Sequence, residues 1–169
     1  LQRTRWTPLY LGGAGTLSWH KPANAPSSPD AFTYDPQDPV PTWGGRGVGL
    51  SGQREQSKIE KRPDVLVYTS PALTEDLEVT GPVKLILHAA SSARDTDFTA
   101  KLVDVHPDGK AYNLCDGILR ARHRNGMDKP ALLEPGKAER FEIDLWVTSN
   151  VFKRGHRIMV QVHSTWFPW

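Results

Sequence analysis

The heptapeptide Phe141-Glu142-Ile143-Asp144-Leu145-Trp146-Val147 constrains the fold more than any other part of the chain. Side chains along a strand point alternately to opposite faces, so Phe141, Ile143, Leu145 and Val147 are expected on one buried face and Glu142, Asp144 and Trp146 on the other. Ile158, Val160 and Val162 repeat the alternation after a Lys153-Arg154-Gly155-His156 turn. Val65–Tyr68, Val83–Ala89, Phe98–Leu102 and Tyr112–Leu119 are further short strand candidates. Turn chemistry separates them: Thr80-Gly81-Pro82 launches the second, and His106-Pro107-Asp108-Gly109 follows the third. Ser149 to Lys153 reads as one helical turn capped by Ser149. No segment sustains a 3.6-residue apolar period over three turns, so the chain is all-β, a sandwich or barrel of many short strands.

The N-terminal third has a different texture. Leu9–Leu11 and Thr16–Trp19 flank Gly12-Gly13-Ala14-Gly15, a hairpin with a glycine turn. Six of the fourteen prolines then fall between Pro22 and Pro41. Proline fixes φ and removes a donor, so this stretch is neither helix nor central strand and is expected as an extended surface loop. Residues 1–62 thus form a leading hairpin and a Pro/Gly-rich loop, and residues 63–169 the β-sandwich core.

At 169 residues such a sandwich buries a sizeable core. A net charge of +2 demands neither nucleic acid nor an anionic membrane as partner. Leu1-Gln2-Arg3-Thr4-Arg5 lacks the apolar core of a signal peptide, and no apolar run approaches membrane-spanning length. The absence of an initiating Met points to a fragment boundary at residue 1. Cys115 is the single cysteine, which excludes an intrachain disulfide and leaves the compartment open.

Several motifs suggest chemistry and fail on context. Gly47-Val48-Gly49-Leu50-Ser51-Gly52 spells a dinucleotide fingerprint, but no strand precedes it and no helix follows. Ser51 misses the nucleophile elbow G-x-S-x-G by one position and lacks the surrounding strand-to-helix pattern, so no catalytic residue is expected in this chain. The six histidines share no metal-ligand spacing, so no metal site and no cofactor are expected unless distant residues converge. His88 is expected as a hydrogen-bonded structural histidine in its strand. Asp95, Asp97, Asp104 and Asp108 supply oxygen ligands suited to calcium, but short acids at strand ends more often satisfy backbone donors.

Binding surfaces are better represented. If strand alternation continues through Arg120-Ala121-Arg122-His123-Arg124, then Arg120, Arg122 and Arg124 form a cationic stripe that could hold phosphate or acids on a neighbouring domain. Trp6, Trp19, Trp43 and Trp146 could stack on sugar rings, fill the core or anchor an interface. Trp19, Trp43 and Trp146, with the three arginines, are the candidate domain-interface residues.

Asp95–Gly109, Cys115–Arg122, Asp144-Leu145-Trp146 and Gly155-His156-Arg157-Ile158 together resemble the C-terminal domain of X-Pro dipeptidyl-peptidases and cocaine-esterase-like hydrolases. Upstream, Tyr34–Gly45 is similar to the segment that leads into that domain, so the resemblance covers nearly the whole chain. It implies a galactose-binding-like jelly roll that follows an α/β-hydrolase domain. The Ser-His-Asp triad of that family belongs to the upstream domain, so none of its members transfers here. The implied role is non-catalytic: packing on the parent's catalytic domain and shaping access to its active site, with self-association a further expectation. The rival is an independent carbohydrate-binding module of similar fold, since jelly rolls host both roles. The family continues into a last strand pair after the stretch matching Ser164–Pro168, and this chain departs from it there.

Overall fold

The computed structural model describes residues 5–23, 28–45 and 51–168. Eight strands run through them: β1 (Tyr10–Gly12), β2 (Thr16–Ser18), β3 (Leu66–Thr69), β4 (Leu77–Ala89), β5 (Asp97–Val105), β6 (Ala111–Arg120), β7 (Glu139–Phe152) and β8 (Arg157–His163). They form a jelly-roll-type β-sandwich, with a six-stranded sheet ordered β1-β2-β3-β8-β5-β6 facing a two-stranded ribbon, β4-β7. Single 3-10 turns at Gly13–Gly15 and Ala121–His123 are the helical pieces among the described residues. The leading hairpin forms as expected, with Leu11 opposite Leu17.

β5 is an inner strand of the large sheet, paired with β8 and β6, and is buried from Phe98 to Asp104, so its two faces serve two cores. Phe98, Ala100 and Leu102 meet Phe141, Ile143, Leu145 and Phe152 from the ribbon. The Phe98 and Phe141 rings lie 4.7 Å apart, in van der Waals contact at a tilt. Behind the sheet, Val103, Ala111 and Met159 join Val40, Ile59 and Val65 through the shared neighbour Val67. The end of the proline-rich stretch is therefore not a plain surface loop. Val40 is fully buried, and Tyr68 donates a hydrogen bond to Asp30.

The ribbon corrects four expectations. Thr80-Gly81-Pro82 is no turn but lies inside β4, paired with Ser149, Thr148 and Val147. Proline is tolerated because β4 pairs on one side only, and an edge strand need not donate on its free side. Ser149–Lys153 is no helical turn either, since β7 runs on to Phe152. Val147 does not share the buried face of Phe141, Ile143 and Leu145; it is 67% exposed. His88, expected as a structural histidine, lies on the exposed outer face of β4. The exposure of Val147 traces to a β-bulge. The register steps from Lys84↔Asp144 to Pro82↔Val147, so Leu145 and Trp146 together oppose Val83. One extra residue flips every later side chain, and Phe152, of even number, becomes the next buried one.

Candidate functional site

The bulge lies beside a close approach of the two layers. Gly117 of β6 has no room for a side chain: a Cβ there would fall 2.1 Å from the carbonyl oxygen of Asp144. Beside that contact Trp146 adopts φ +69°, a left-handed conformation that bulky residues rarely accept. The Asp144 carboxylate fixes it by accepting the Trp146 N–H at 2.8 Å. The result presents the indole outward, 58% exposed, next to the exposed Val147.

A glycine strap faces the bulge. Gly44 and Gly45 have φ +81° and +86°, and a Cβ on either would meet Asn113 or Asp116 at 2.6 or 2.5 Å. Gly45 and Gly52 exchange backbone hydrogen bonds of 2.9 and 2.8 Å, which closes the strap. Between strap and bulge lies a cleft of about 260 Å³ lined by Gly45, Gln53, Asp116, Leu145, Trp146 and Val147, among others.

Buried polar groups hold the strap from behind. The Asn113 side-chain oxygen accepts from the Arg54 N–H at 2.8 Å and from Gln56 Nε2 at 3.2 Å. Gln56 Nε2 also donates to the Trp43 carbonyl at 2.8 Å, which positions the half-exposed Trp43. Lys101, 1% exposed on the rear face of β5, reaches Gln56 Oε1 at 3.4 Å. Burial pulls its ammonium down to about 8, against the opposing attraction of Asp116. His163 is fully buried close by, with Nδ1 2.7 Å from the Thr99 hydroxyl. Burial first, and then the charge of Lys101, push His163 down to about 3, so its ring is neutral.

The residues singled out from sequence do not gather at one site. Trp43 and Trp146 are exposed, Trp146 in the cleft wall. Trp19 is partly buried against the main core, and Trp6 is exposed with the Lys84 ammonium 5.9 Å from its ring centre. The three arginines form no stripe, because β6 ends at Arg120 and a 3-10 turn follows. Arg120 grips Asp97 with two hydrogen bonds of 2.6 and 2.8 Å, and Arg122 binds Asp95 at 2.6 Å. The Arg124 side chain is 9% exposed and donates to the carbonyls of Ala121 and Ala131. Asp97 thus ties the paired ends of β5 and β6 through Arg120, and Asp95 holds the following 3-10 turn through Arg122. The fingerprint glycines Gly47 and Gly49 lie outside the described residues, and Ser51 is exposed at the strap. Two distant histidines, His106 and His156, do converge, on Asp104.

Sequence reasoning missed Lys101, Asn113, Asp116, Gly117 and Gln56. The glycines at 44, 45 and 117 were visible as letters, but their role requires knowing which backbone passes them. Chemically the cleft offers ring and aliphatic surface above a buried carboxylate. The described residues lining it include neither serine nor histidine, so it is equipped to bind and not to carry a serine triad.

Comparison with known proteins agrees with this geometry. The family model for the X-Pro dipeptidyl-peptidase C-terminal non-catalytic domain matches residues 1–169. Cocaine esterase of Rhodococcus sp. (strain MB1 Bresler) is 48% identical over 99% of this chain and 31% of its own length. A putative serine esterase of Mycobacterium tuberculosis (strain CDC 1551 / Oshkosh) is 36% identical over 58% of this chain and 18% of its own. Among solved structures, an α-amino acid ester hydrolase superposes with a TM-score of 0.87 at 31% identity, over 96% of this chain and 29% of that one. The chain spans about a third or less of these relatives. It belongs to the family of X-Pro dipeptidyl-peptidase C-terminal non-catalytic domains, the β-sandwich of cocaine-esterase-type hydrolases.

Proposed function

We propose that this domain packs on the catalytic α/β-hydrolase domain of its parent chain through the cleft face, and that Trp146, Val147 and the glycines Gly44, Gly45 and Gly52 shape access to that domain's active site. The parent is a serine hydrolase acting on esters, amides or X-Pro dipeptides. The observation that carries the reading is the bulge at Trp146. A strained backbone that turns a tryptophan and a valine to solvent does nothing for this domain's own core, and such strain collects at functional surfaces. Tryptophan in particular is favoured at the centre of interfaces.

The test is Trp146→Gly in the full-length parent. Glycine accepts φ +69° without strain, so the isolated domain should melt at an unchanged or higher temperature. The parent should lose kcat/KM by roughly tenfold or more, as removal of an interface anchor worth more than about 1.4 kcal/mol would produce. Full activity in the parent would defeat the proposal. Saturable sugar binding quenched through Trp43 and Trp146, without docking, would instead support the carbohydrate-module reading.

A further inference from the structure

We propose that Asp104, His106 and His156 form a binding site for a divalent transition-metal cation of the Zn²⁺ class. The three come from separate places: Asp104 near the end of β5, His106 in the β5–β6 turn and His156 in the β7–β8 turn. One ligand atom from each lies within 4.8 Å of the other two. His156 Nδ1 is 2.9 Å from Asp104 Oδ1, and His106 Nε2 is 3.8 Å from Asp104 Oδ2. The imidazole rings stand 4.4 Å apart. Ligand bonds of about 2.0–2.2 Å in tetrahedral geometry place neighbouring ligand atoms roughly 3.3 Å from one another, so small side-chain rotations suffice to close the site.

The backbones of all three residues are already held. Asp104 is paired on both sides, with Tyr112 and with Ile158. His106 bonds Lys110 and Gly109 across its turn, at 2.8 and 2.9 Å. The His156 N–H donates to Lys153 at 2.9 Å, and its carbonyl accepts from Leu73 at 2.8 Å. The ring contact between His106 and His156 brings the two histidine-bearing turns side by side. Organisation of this kind reduces the ordering that a metal would otherwise impose.

Ligand type sets the metal class. Two imidazoles and one carboxylate suit zinc and its transition-metal neighbours, whereas calcium and magnesium require mostly oxygen. The Asp104 carboxylate is 9% exposed and the His106 ring 39%, so the site has a buried anchor and a face open to water, which leaves a fourth position for solvent. Asp76 and Asp108 are the acidic residues next to the two histidine-bearing turns. Each also has a lysine partner, Lys153 and Lys110, so neither competes as a free ligand.

The test is calorimetric titration of the chelator-treated 169-residue chain with Zn²⁺ at pH 7.5, with Co²⁺ as an optical probe. The expected result is one saturable site per chain and the visible absorption of tetrahedral Co²⁺. At about a hundredfold excess over Kd, Tm should rise by roughly 5–10 °C. His106→Ala alters a partly exposed side chain and should leave the circular dichroism spectrum intact. It should weaken Zn²⁺ binding beyond the roughly 10–100-fold that changes outside the ligand set produce. Asp104→Asn should act in the same direction. Absence of saturable binding, equal affinity for Ca²⁺, or binding unchanged in His106→Ala would each overturn the proposal.

Discussion

Lys101 and His163 show what the chain keeps charged and what it does not. Both are buried at the rear of the large sheet, Lys101 on β5 and His163 at the end of β8, where desolvation disfavours the protonated form. A lysine in the unfolded chain holds its proton to about pH 10.4, whereas the folded chain releases it near 8. Between those values the unfolded state binds more protons, so stability should climb with pH from about 8 to 10. His163 takes its proton at about 6.5 when unfolded and near 3 when folded. Its contribution should therefore fade as pH drops below about 6.5, before most carboxylates titrate. Urea denaturation at closely spaced pH values checks both limbs. Lys101→Met should flatten the alkaline limb, and His163→Gln the limb between pH 6.5 and 5. Slopes identical to the parent sequence in both variants would show that neither buried group is the source.

At the scale of the element, β7 decides which side of the sandwich is wet. Its first half obeys the alternation read from sequence, and its second half obeys the same rule in the opposite phase, reset at Trp146. Leu145→Ala should cost about 2–5 kcal/mol, the range for a buried truncation. Val147→Ala should cost less than roughly 0.5–1 kcal/mol, because its side chain is largely exposed. Equal losses in chemical denaturation would place both residues on one face and remove the bulge. These two residues also show what was legible in the sequence. Alternation located β5, β7 and β8, apolar runs located β6 and the second half of β4, and turn residues located the β5–β6 and β7–β8 turns. Phase was not legible, since a bulge requires no glycine letter and here a tryptophan occupies the left-handed position. The arginines were misplaced for a related reason: the alternating letters continue past Arg120, but the backbone leaves the sheet there. The cleft was half legible. Trp43 and Trp146 stood out by type, whereas Lys101, Gln56 and Asp116 gained their roles only when remote segments were brought together.

At the scale of the whole molecule, the sandwich is thick on one side and thin on the other. The large sheet is covered in front by the β4-β7 ribbon and behind by the segment around Val40, Gln56 and Ile59. At the bulge the exposed Trp146 and Val147 sit beside a left-handed backbone, and the docking proposed above would account for both properties. Hydrogen exchange on the isolated chain, with and without the parent's catalytic portion supplied separately, tests this most directly. Docking through the cleft predicts saturable binding with slowed exchange at residues 43–45, 51–53 and 145–148, lost in Trp146→Gly, while β1 and β2 exchange as before. Absence of binding, or protection confined to the β1-β2 edge with the cleft unaffected, would contradict it.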